Sequence, residues 1–150
     1  MLNAKEILGV VLADNGYDGL VNPWVGCCCG ISSLMSCGCC YHDCYAAYSK
    51  YIDDPSTEDC LTIKNPDGSR KRKVTGIKLL EKWLKKNKYD GLLWEKENCW
   101  CTEVALDDCE GCHKGCVAAY KVPCVASTCK KDCDYKDDND APYCMSKEKS

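Results

Sequence analysis

The chain has 150 residues, 17 of them cysteine and none phenylalanine, with 29% charged residues and a net charge of −3. About a quarter of the nominal 45% apolar content is cysteine, so the apolar stock is thin for one large core. Small domains short of core rely on disulfides, metals or oligomerisation. This composition excludes a coiled coil, a disordered chain and an ordinary core-driven enzyme domain. No apolar run of about 18 residues is present, which excludes a membrane-spanning helix.

In chain order, Ile7, Leu8, Val11 and Leu12 form an apolar stripe at helical spacing. Asn3 suits its N-cap, and Asn15-Gly16 suits its end. Tyr17-Asp18-Gly19-Leu20 reads as a turn. A cysteine-rich loop follows. Leu61–Lys64 and Arg70–Thr75 flank Asn65-Pro66-Asp67-Gly68-Ser69, a β-hairpin signal. Leu79, Leu80, Trp83 and Leu84 then form a second helical stripe, capped by Thr75 and ended by Asn87-Lys88. Both stripes are expected to be core, and Trp94 and Trp100 are expected to cover it, with exposed stacking groups as the alternative. A second cysteine-rich loop and a tail with the acidic run Asp137-Asp138-Asn139-Asp140 complete the chain.

The chain contains an internal repeat. Placing Ala4 on Gly76 aligns positions 4–48 with 76–120 without a gap, at 16 identities. Tyr17-Asp18-Gly19-Leu20 falls on Tyr89-Asp90-Gly91-Leu92, and Ala46-Ala47-Tyr48 on Ala118-Ala119-Tyr120. Cys27, Cys29, Cys37, Cys40 and Cys44 fall on Cys99, Cys101, Cys109, Cys112 and Cys116. His42 and His113 align with Lys114 and Tyr41, so neither belongs to the shared frame. The expected organisation is a cysteine-rich module at 1–58, a basic β-hairpin linker at 59–75, a second module at 76–124 and a cysteine-rich acidic tail at 125–150. The fold class is α+β: a small, metal-stabilised tandem repeat of helix-plus-zinc-loop modules with a linking β-hairpin.

Two thiolates close in sequence and two further on can converge on one tetrahedral ion, and zinc takes four cysteine sulfurs without redox chemistry. The expected ligands are Cys27, Cys29, Cys37 and Cys44 in the first copy, and Cys99, Cys101, Cys109 and Cys116 in the second. Cys40 and Cys112 can each replace a neighbour. Cys124, Cys129, Cys133 and Cys144 are candidates for a third site. An iron–sulfur cluster also uses four thiolates and is the alternative cofactor. A disulfide scaffold is the alternative to both. A structural zinc contributes about 10–16 kcal/mol to folding, comparable to the whole stability of a domain at about 5–15 kcal/mol. A closed four-thiolate site leaves no open position for water, so the expected role is structural and non-enzymatic.

The segment Asn87-Lys88-Tyr89-Asp90-Gly91-Leu92, Cys99-Trp100-Cys101, Leu106-Asp107-Asp108-Cys109 and Cys116 to Cys124 resembles short, uncharacterised phage- and prophage-associated cysteine-rich proteins of anaerobic bacteria. The resemblance covers residues 87–124 and is weaker in the first copy, where Met35-Ser36 replace the aspartate pair. It implies a metal-binding fold and a phage-encoded product acting on a host or phage protein. A second resemblance, of Val25 to Gly30 and Cys39 to Tyr45, is to secreted phospholipase A2. It implies a calcium-dependent lipase in which His42 and Asp43 activate water. Here one residue is missing before His42 and one after Asp43, which would turn a helical side chain by about 100°.

Charge is strongly patterned. Residues 1–60 hold 2 basic and 8 acidic side chains, 61–88 hold 10 and 2, and 89–150 hold 8 and 13. Arg70, Lys71, Arg72 and Lys73 are the candidates for contacting a nucleic-acid backbone by counterion release. A solvated helix and hairpin explain the same charges. The first residues run straight into the helix without the basic, apolar and small-residue pattern of a secretion signal. The expectation is therefore a cytoplasmic protein, in the host cytoplasm if phage-encoded, with secretion as the alternative. The preferred reading is a zinc-binding protein-interaction module with two sites and a candidate third. The alternatives are a nucleic-acid-binding zinc protein and a secreted lipase.

Overall fold

A computed structural model describes residues 1–36, 43–48, 73–97, 99–102, 106, 115–123 and 143–149. Helix α1 spans Ala4–Asp14 and helix α2 spans Gly76–Lys86. The Asn3 side chain accepts from the Glu6 backbone N–H at 3.0 Å, and the Glu6 carboxylate accepts from Asn3 N–H at 2.8 Å. This reciprocal box satisfies two donors that the first turn leaves orphaned. In α2 the Thr75 hydroxyl accepts from Lys78 N–H at 3.4 Å. The N-caps expected from the sequence are those observed.

Both helices end by one device. Tyr17 N–H donates to Leu12 O and Gly16 N–H to Ala13 O, while Tyr89 N–H donates to Leu84 O and Lys88 N–H to Lys85 O. These are the paired bonds of a Schellman stop, which needs a left-handed residue. Gly16 supplies it at φ 71° and Lys88 at φ 61°. The chain therefore reverses at 16 and 88, just ahead of the expected Asp-Gly turn. Gly19 and Gly91 instead begin strands. A Cβ on Gly91 would overlap the carbonyl oxygen of Cys101 on the neighbouring strand, so this glycine permits close strand approach.

Strand β1 (Gly19–Asn22) lies between β2 (Cys27–Gly30) and β3 (Tyr45–Ala47), both antiparallel to it. Strand β4 (Gly91–Trp94) lies likewise between β5 (Cys99–Thr102) and β6 (Val117–Pro123), and β7 (Tyr143–Ser146) extends that sheet beyond β6. Mixed α+β architecture is thus observed. The element bounds from α1 to β2 recur at the aligned positions from α2 to β5. So does the register: Leu20 faces Cys29 and Ala46, and Leu92 faces Cys101 and Ala118.

One buried cluster draws on both halves. Ile7, Leu8 and Leu12 of α1 join Leu79, Leu80 and Leu84 of α2, Leu20 and Leu92 of the central strands, and Leu34 and Leu106 of the loops. Cys29, Cys44, Cys101 and Cys116 belong to the same cluster. The core is less thin than the aliphatic count suggests, because cysteine packs as a small hydrophobe and the two halves share one interior. The expected hairpin turn and the residues at 124–142 lie outside the described residues. The end of the basic arm is described, and Ala46 N–H donates to Val74 O at 2.8 Å.

Candidate metal centre

Side chains alternate across a strand, so Cys27 and Cys29 share one face of β2 while Cys28 takes the other. Their shared face looks into the core, with Cys29 buried and Cys27 packed against the cluster. The Cys27 and Cys29 sulfurs are 4.0 Å apart. A disulfide holds its sulfurs at about 2.05 Å. Four sulfurs at about 2.3 Å from a tetrahedral zinc lie about 3.8 Å from one another. The observed pair therefore has the spacing of one tetrahedral edge.

Cys99 and Cys101 occupy the corresponding places on β5, with Cys101 buried in the cluster and Trp100 on the opposite face. Cys44 and Cys116 are buried in the same cluster. Asn22 faces Cys27 on one side, and Cys44 immediately precedes β3, whose first residue, Tyr45, faces Val21. Among the described residues no group of three or more His, Cys, Asp or Glu side chains comes together to hold a metal ion. Of the expected foursomes, the described residues include Cys27, Cys29 and Cys44 of the first and Cys99, Cys101 and Cys116 of the second. Cys37, Cys40, Cys109, Cys112, Cys124, Cys129 and Cys133 lie outside the described residues. Cys144 sits on β7, opposite Val122.

Asn22 escaped the sequence reading. It is a polar residue only 6% exposed on the central strand, facing Cys27 of β2. Its side-chain oxygen accepts from Trp24 N–H at 3.0 Å, fixing the turn into β2. Trp24, at the tip of that turn, is 82% exposed. The Asn-Pro pair at 22–23 was the available turn signal. In the second half Trp94 replaces Asn22 and packs against the core, with Gly115 beneath its indole nitrogen.

Of the basic candidates, Arg70, Lys71 and Arg72 lie outside the described residues, and Lys73 places its ammonium 5.5 Å from the Tyr45 ring centroid. On α2, Lys85 and Lys78 pair with Glu81 at 2.8 and 3.2 Å. The hydrogen bond from Lys85, followed by that from Lys78, holds the Glu81 carboxyl below its ordinary pKa against a counteracting burial cost. Two of the helix lysines are therefore internally paired. Trp83 stacks on Tyr89, which meets Tyr120 at 4.8 Å between ring centroids. A hydrogen bond with Tyr120, then burial, raises the Tyr89 phenol above its usual value.

His42 and His113 lie outside the described residues. Asp43 is exposed and leads into strand β3, where the lipase resemblance would place a helix. Comparison with protein families, with curated proteins and with solved structures returns no match.

Proposed function

We propose that the chain is a zinc-stabilised interaction protein built from two copies of one helix-and-sheet module, with the metal in a structural and non-catalytic role. The observation that carries this reading is the Cys27–Cys29 pair, whose sulfurs lie 4.0 Å apart on one core-facing strand. The same Cys-x-Cys recurs on β5. The remaining thiolates of the first site come from Cys37, Cys40 and Cys44, and those of the second from Cys109, Cys112 and Cys116. In this reading Cys37 and Cys44 complete the first site and Cys109 and Cys116 the second, and Cys40 or Cys112 can replace a neighbour. Paired edges of this kind suit a closed site with no vacant position for water. The partner in this reading is a protein, of phage or host origin as the resemblance implies.

Native mass spectrometry with thiol counting, on protein purified under reducing and anaerobic conditions, tests the reading. Two zinc ions per chain and reactive thiols on metal release are expected. A metal-free chain with eight disulfides would overturn it, and intense visible absorbance would replace zinc by iron and sulfide.

A further inference from the structure

The two halves are joined by contacts that map onto each other under the repeat alignment. Ala4 N–H donates to Cys116 O at 2.7 Å, and Gly76 N–H donates to Cys44 O at 2.8 Å. Ala118 N–H donates to Leu2 O at 3.4 Å, and Ala46 N–H donates to Val74 O at 2.8 Å. Asn3 bridges Val117 antiparallel, and Thr75 bridges Tyr45 in the same manner. The segment entering each helix thus pairs with a strand of the opposite half. Between these two exchanges α1 packs against α2, and both stripes enter one core.

An interface in which patch i meets patch j and j meets i is isologous, the kind that closes a two-fold dimer. We propose that this reciprocal surface is self-complementary and that the partner it fits is a second copy of the chain, taken up by exchange of halves. The first half of one copy closes on the second half of another, and every bond above is remade between chains. The connector runs from 49 to 72. At full extension it spans about 80 Å, enough to run between two copies. Covalent connection makes closure within one chain unimolecular, so it dominates in dilute protein and exchange competes as concentration rises. The joining bonds are made by backbone groups and use no thiolate.

The test uses full-length chains with a protease site inserted between 49 and 72, one batch isotopically heavy and one light. The batches are incubated together at high concentration under mildly destabilising, reducing conditions, returned to native conditions, cut and weighed by native mass spectrometry. Batches incubated and cut separately, then mixed, give the baseline. Cut chains should stay together as one first half with one second half, and co-incubated samples should contain heavy–light pairs well above the baseline. Halves that separate on cutting, or heavy–light pairs no more abundant than the baseline, overturn the proposal.

Two variants locate the surface. Ala4→Pro and Gly76→Pro each remove one of the reciprocal N–H donors at the first helical position, where proline is at home, so helicity should persist by circular dichroism. Each should weaken the survival of cut pairs by roughly 5- to 10-fold, and by similar factors, as expected for one lost hydrogen bond. Unchanged pairing in both would place the attachment elsewhere and overturn the assignment of these contacts.

Discussion

The two halves share an inner face and differ on the outer one. Inside, Leu20, Cys29 and Ala46 match Leu92, Cys101 and Ala118, all in one core. Outside, the second half buries Leu93, Ala119 and Met145 beneath Trp100 and Val117, with Trp100 edge-on to Tyr143 at 5.9 Å. The first half has Cys28 in the place of Trp100. Their β-turns differ too. Trp24 and Val25 are exposed at one tip, whereas Glu95 at the other is held by Lys147 at 2.6 Å. Residues that face the shared interior are constrained twice, by their own sheet and by the other half. Of the residues facing away, Val21 and Cys28 differ from Leu93 and Trp100, while Ala47 matches Ala119.

The largest test of this contrast is metal removal. Cys29→Ser and Cys101→Ser should each eliminate one zinc in native mass spectra. Because a structural zinc contributes about 10–16 kcal/mol, either loss should abolish the near-native circular dichroism of the whole chain. A chelator that leaves the spectrum unchanged would overturn the structural role proposed for zinc.

Next come Leu8→Ala and Leu80→Ala, equivalent and fully buried positions. Each should cost about 2–5 kcal/mol in urea titrations. One shared core requires a single transition in both variants; separate transitions for the two halves would contradict it. On the outer face, Trp100→Ala should cost about 2 kcal/mol, since the indole is only partly buried, and Cys28→Ala under about 1 kcal/mol. Equal costs would remove the distinction drawn between the two outer faces.

Smaller still is the helix stop. Lys88 sits at φ 61° where Gly16 sits at φ 71°. Lys88→Gly should raise stability by about 0.5–1 kcal/mol by relieving the left-handed penalty, less any favourable charge–dipole effect. Gly16→Ala should lower it similarly.

The smallest effect belongs to Glu81→Gln, at most about 0.5 kcal/mol for partly exposed helix pairs. Since its folded pKa is lowered, the stabilisation is present above the unfolded pKa. It is lost as pH falls through the folded value. An acid titration comparing the variant with the parent should show their difference vanish there.

The helices were legible because their stripes, caps and stops are local. Asn3 and Thr75 need only the first turn of their own helix to act as N-caps. The strand at Gly19 was not legible, because Asp-Gly is a turn signal and only pairing with β2 and β3 makes it extended. The Cys27–Cys29 pair was legible as a candidate from spacing alone. The burial of Cys44 in the shared core was not, since it depends on how the halves pack.

Sequence by itself determined the cysteine frame, the correspondence of the two halves and the two amphipathic helices, because each is written in residue spacing along the chain. Tertiary structure alone decided that the halves share one core and that the segment entering each helix pairs with a strand of the opposite half. Those bonds join backbone groups far apart in the chain, such as Ala4 with Cys116, and backbone groups carry no mark of their partner in the sequence.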